Sequence, residues 1–156
     1  MAYQKLQVSR AVAVIPSDTV NIPDPATQAL TGTADFSVAG TLTDVGTTFT
    51  SAGIQQNAIV YSTTASIAYY VTEIVSDTAL SLSPSSAGGA TDDYVIYNPV
   101  SLGCVLYIGV AGNVKVTTAG GDEVTFVGVN AGTFLPVQVI RVWDTGTAAT
   151  NILALW

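Results

Sequence analysis

The chain has 156 residues, of which 49% are hydrophobic and only 10% charged, against about 25% charged in ordinary soluble domains. Four Lys or Arg against eleven Asp or Glu give a formal charge of −7, which repels phosphate backbones and anionic lipid and so argues against nucleic-acid and membrane-surface partners. There is no histidine and a single cysteine, Cys104, which excludes an internal disulfide, Ser-His chemistry and histidine-based metal ligation.

Thr and Val are the commonest residues, at 21 each. Such β-branched side chains fit a pleated strand and crowd the preceding turn of a helix, so the whole chain leans to strand. Its length suits one sound core or two small ones. From Leu6 to Ile15 the pattern is extended, with Leu6, Val8, Val12 and Val14 alternating and Pro16 ending the run. Lys5 and Arg10 leave only Ala11 to Ile15 as an apolar stretch, too short for a secretory h-region, which predicts a soluble chain made in a cytoplasm. Thr19 to Ile22 forms a second extended piece before Pro23 and Pro25, which read as a stiff linker.

Residues 30–98 differ in texture, with Gly32, Gly40, Gly46 and Gly53 punctuating Thr-rich segments. A single helical turn is expected over 47–53. Strands are predicted at Ala58 to Ser62, Ile67 to Val75, Ala79 to Ser83 and Tyr94 to Tyr97, and Ser76 with Asp77 supplies a turn. Tyr69, Val71 and Glu73 fall on one face of their strand, and Ala68, Tyr70, Thr72 and Ile74 on the other. The sum is a small five-stranded barrel or meander.

The last third has strand-like runs separated by Gly, Asn, Asp and Pro at about ten-residue intervals, the spacing of a β-sandwich or barrel. Cys104 to Ile108 reads as a strand apolar on both faces, and Cys104 as a buried structural thiol. Asn113 to Thr118 and Glu123 to Val127 form a hairpin through Ala119, Gly120, Gly121 and Asp122. Val137 to Trp143 and Asn151 to Trp156 add two strands, and the final tryptophan is expected to be packed rather than solvated. The predicted fold is therefore all-β. A β-sandwich or jelly-roll-like module spans 1–29 plus 99–156, and a small β-barrel is inserted over 30–98.

Few residues invite chemistry. Asp92–Asp93 and Asp122–Glu123 are adjacent, so in an extended chain each pair points to opposite faces, unlike the spaced carboxylates of a glycosidase. They read as turn and solubilising residues. The glycine pieces at 109–112 and 120–121 lack the Lys-Ser/Thr and following helix of a phosphate loop, and the ordered acidic spacing of a calcium loop is missing. No enzyme, cofactor or metal site is expected. Tyr61, Tyr69, Tyr70, Tyr94 and Tyr97 admit two readings, a sugar-binding face or core packing, of which packing is the stronger.

Leu106 to Gly112 (LYIGVAG), Gly120-Gly121 followed by Val124 to Phe126, Gly132 to Val137 (GTFLPV), Thr147 to Leu155 ending in Trp156, and Val12 to Ser17 (VAVIPS) together resemble the phage spike-base protein family. That family occurs in tailed phages and gene transfer agents. The similarity covers roughly half the chain, and residues 30–98 are an insertion relative to it. It implies a structural virion protein on the outer capsid surface, synthesised in the host cytoplasm and acting as a decoration, cement or spike-base subunit. The implied partner is the major capsid protein, with a spike or fibre protein as a further one. The alternative is a host-adhesion or carbohydrate-binding module of a tail or fibre. Apolar residues on both faces of the terminal strands predict a homo-oligomer, with a trimer favoured. Candidate interface residues are the large aromatics Trp156, Trp143 and Phe134 of the terminal module and Tyr69 and Tyr70 of the insert.

Overall fold

The computed structural model describes residues 8–100 and 102–156. Leu6, at the start of the expected first strand, lies outside them. The protein is all-β and consists of two antiparallel sheets. In chain order the strands are β1 (Ala11–Ala13), β2 (Gln28–Ala34), β3 (Thr41–Thr43), β4 (Ile59–Ser62), β5 (Ile67–Ser76) and β6 (Ala79–Ser83). They continue with β7 (Asp92–Tyr97), β8 (Cys104–Val110), β9 (Gly112–Thr118), β10 (Glu123–Val129), β11 (Thr133–Val142) and β12 (Thr150–Leu155).

Two compact units result, the described residues up to Asp18 together with Leu102–Trp156, and the described residues from Thr19 to Val100. The insertion is thus longer at its start than the expected 30–98. The physical reason lies in residues 19–34, which pack and pair within the insert. The Asn21 N–H donates to the Tyr70 hydroxyl, a one-turn 3-10 helix at Pro25–Thr27 is capped by the Asp24 side chain, and β2 pairs along its length with β7. What reads as linker is structure.

In the terminal unit the strand order is β1-β12-β8-β11-β9-β10. Cys104, Leu106 and Ile108 are buried while Val105 and Tyr107 between them are half-buried. The run is therefore fully covered on one face only, where sequence alone predicts two. The β9–β10 hairpin forms as expected, closed by Thr118 and Asp122 and by Gly121 at φ 94, a left-handed conformation that favours glycine. β11 pairs with β8 over its first half and with β9 over its second, and Val139 faces both Cys104 and Thr118. The register shifts between Leu135 and Val139, a stretch that includes Pro136, which has no N–H to give to a ladder. The sheet curls about this strand until the Asn113 carbonyl accepts hydrogen bonds from Ala148 and Ala149, just ahead of β12. Trp156 closes the chain on the first strand, donating its N–H to the Arg10 carbonyl at 3.0 Å.

The insert has six strands rather than five, in the order β2-β7-β4-β5-β6-β3. The sheet curls so far that its two edges meet, Asp35 and Thr43 exchanging backbone hydrogen bonds of 2.8 and 2.9 Å. Across this seam the Tyr94 hydroxyl donates to Asp44 Oδ2 at 2.8 Å. A Cβ on Gly32 would lie 2.9 Å from both of those oxygens, so the seam needs glycine there. Phe36, Leu42, Phe49, Val60, Tyr69, Val71, Leu80, Tyr94 and Ile96 fill the interior. Phe49 enters from the turn expected at 47–53, where Ala52 N–H bonds to the Thr48 carbonyl. In β5 the register shifts after Val71, which leaves Glu73 exposed and turns Ile74 toward the core. The strict alternation read from the sequence thus holds only as far as the bulge.

Candidate assembly interface

Residues directly opposite on antiparallel strands project from the same face of a sheet. In the terminal unit this register lines up Ala13, Leu153, Tyr107 and Phe134 from β1, β12, β8 and β11. Beside them lie Ala11, Leu155 and Val105. This row is the side of β8 opposite to the buried Cys104, Leu106 and Ile108, and it contains no charged residue. Tyr107, Leu153, Leu155 and Val105 are half-buried, while Phe134 is 53% exposed. The Tyr107 and Phe134 rings pack with centroids 5.2 Å apart and an interplanar angle of 57°, a favourable aromatic contact.

The other expected interface residues fall differently. Trp156 is half-buried and lines a cavity of about 240 Å3 with Val8, Cys104, Val105 and Leu155. Its indole N–H is buried and has no acceptor among the described residues. Trp143 is held inside its own unit: the indole N–H donates to Thr117 Oγ1 at 2.9 Å, and the Lys115 ammonium sits 3.8 Å from the ring centroid. Lys115 also reaches Glu123 at 3.8 Å. Trp143 is thus committed to intramolecular contacts.

Tyr69 is not an interface residue. It is 0% exposed and stacked on Phe36 at 5.8 Å in the barrel core, because its parity on β5 matches that of Val71. Tyr61, Tyr94 and Tyr97 are buried as well, so the tyrosines form no shared surface and packing is the correct reading for them. Burial, and then the hydrogen bond to Asp44, pushes the Tyr94 hydroxyl far above the usual phenol range. Tyr70, of opposite parity, is half-buried, and its hydroxyl accepts the Asn21 N–H at 2.8 Å. It lines a cavity of about 340 Å3 together with Asn21, Asn57, Ile59, Pro99 and Val100.

Asp92 and Asp93 point to opposite faces of β7 as their adjacency predicts, one buried and one exposed. Asp92 is more than a solubilising charge, since its carboxylate accepts from Gly89 N–H at 2.8 Å and Ser62 Oγ at 3.3 Å. Asp93 accepts from Thr33 Oγ1 at 2.7 Å. Among the described residues no group of three His, Cys, Asp or Glu is placed to hold a metal ion. Cys104 is buried as expected and its thiol lies 3.2 Å from the Val139 carbonyl. No helix among the described residues is long and apolar enough to cross a membrane.

No protein family, curated protein or solved structure matches the sequence. The site therefore rests on geometry. Asn21 and Asn57 escape a sequence reading because nothing local distinguishes them; the one available signal is that Asn57 follows two glutamines at the entry to a strand, a place where Asn tolerates a left-handed turn.

Proposed function

We propose that the protein is a structural, non-enzymatic virion component of a tailed bacteriophage. It binds the outer surface of the major capsid protein as a decoration, cement or spike-base subunit and associates with further copies of itself. The observation that carries this reading is the uncharged apolar row of β1, β12, β8 and β11, with Phe134 held out on Tyr107. Such a face is stable in a particle, where a partner covers it, and is an aggregation liability when left in water. The resemblance of LYIGVAG and GTFLPV to spike-base proteins supports it, as those segments supply Tyr107 and Phe134. The charge of −7 favours the outside of a shell over the side that faces packaged DNA.

Cryo-electron microscopy of particles from the phage that encodes the chain tests the assignment. Density on the capsid exterior, contacted by the Phe134 face, is the expected result. Density confined to the tail tip, or none on the particle, overturns it. Phe134→Asp is expected to abolish decoration while strand content measured by circular dichroism is unchanged, and sedimentation of the wild type is expected to give a trimer rather than a monomer.

A further inference from the structure

We propose that the Tyr70 cavity of the insert is a binding site for a neutral saccharide. This goes beyond the capsid role and concerns the other unit. The cavity of about 340 Å3 is at the small end for a ligand site, enough for one or two sugar rings. Its lining combines an apolar part, Ile59, Pro99 and Val100, with two asparagines and a tyrosine. No Asp, Glu, Lys or Arg is among these residues, which removes the groups that would recognise a phosphate, an acidic sugar or a cation.

The polar groups are prepared for hydroxyls. Asn57 holds a left-handed backbone at φ 66, fixed by its N–H on the Val71 carbonyl at 2.8 Å, and its side chain is exposed at the cavity. An amide both donates and accepts, which matches a sugar hydroxyl that does the same. The Tyr70 hydroxyl accepts from the backbone N–H of Asn21, 49 residues away, and so is locked in orientation with its own proton left to donate. A flat ring beside Pro99 and Val100 suits the apolar face of a pyranose. A peptide fits less well. Strand addition needs an edge, and both neighbouring strands lack one: β4 is paired with β5 and β7, and β5 with β4 and β6.

The test is a heteronuclear NMR titration of the full chain with neutral disaccharides built from glucose, galactose, mannose, rhamnose and N-acetylglucosamine. Sialyllactose and a uronic-acid disaccharide serve as charged controls. The expected result is that at least one neutral sugar shifts the amides of Asn21, Asn57 and Val100. Asn57→Gly keeps the backbone conformation and Tyr70→Phe keeps the ring, and each is expected to weaken that sugar by about tenfold, the loss of one good hydrogen bond. Thermal unfolding of both variants checks that the barrel is intact. No shift at these residues with any neutral sugar, equal binding of the charged controls, or unchanged affinity in both variants overturns the proposal.

Discussion

The buried Tyr69 hydroxyl gives a sharp test of the barrel core, because its removal is expected to stabilise the protein. Tyr69 is 0% exposed, and its oxygen has no hydrogen-bond partner among the described residues. Leaving such a group unpaired away from water costs about 1–3 kcal/mol. Tyr69→Phe removes that penalty and keeps the ring on Phe36. The void left is smaller than a water and returns no more than a few tenths of a kcal/mol. The net expectation is a gain of about 1 kcal/mol, a rise of roughly 0.5 M in the urea midpoint at a slope near 2 kcal/mol/M. Tyr94→Phe is the matched control of opposite sign, since the Tyr94 hydroxyl donates to the Asp44 carboxylate at 2.8 Å, and its loss is expected to destabilise by about 1.5–3 kcal/mol. Equilibrium urea unfolding at neutral pH, followed by circular dichroism, measures both. A Tyr69→Phe midpoint that falls by as much as that of Tyr94→Phe would refute the reasoning and show that the Tyr69 oxygen is hydrogen-bonded.

Burial raises the phenol pKa of Tyr69, Tyr94 and Tyr97. Above about pH 10 the unfolded chain releases protons that the folded one retains, so stability is full below that pH and falls by roughly 1.4 kcal/mol per unit for each such tyrosine; a urea midpoint flat from about pH 9 to 11 sinks this. The Asp18 carboxyl is held below its ordinary range by the Thr145 hydroxyl and N–H, at 2.6 and 2.8 Å. Its contribution is therefore present above about pH 4 and lost as pH falls through the lowered value, and Asp18→Asn is expected to lower the midpoint at pH 7 and to flatten the acid limb. A Cβ on Gly112 would stand 2.5 Å from Ala149 N, a backbone atom tied to Asn113; Gly112→Ala is expected to cost about 2 kcal/mol, while Gly120→Ala, with nothing nearer than 3.6 Å, should be neutral in the same thermal scan. Trp156→Ala, which removes one wall of the cavity that Val105 and Leu155 also line, is expected to weaken self-association or capsid attachment, as read by sedimentation, without loss of strand content.

Local pattern carries much of this architecture. The β9–β10 hairpin, the alternating faces of β8, and the opposite faces of Asp92 and Asp93 all follow from a side-chain period of two and from glycine in the turn. Period two names two faces, but it does not say which one is covered. Tyr69 and Tyr70 are adjacent and chemically identical, yet one is core and the other lines a cavity; the difference comes from partners such as Phe36 and Asn21, 33 and 49 residues away. Likewise β2, QALTGTA, has no apolar alternation to announce a strand, and it becomes one because β7 offers it a ladder. The bulge that exposes Glu73 and the double pairing of β11 through Val139 depend on neighbouring strands in the same way. Strand formation is a local preference, whereas register, closure and burial are set by contacts distant in the chain, and those become definite only when the sheets have formed.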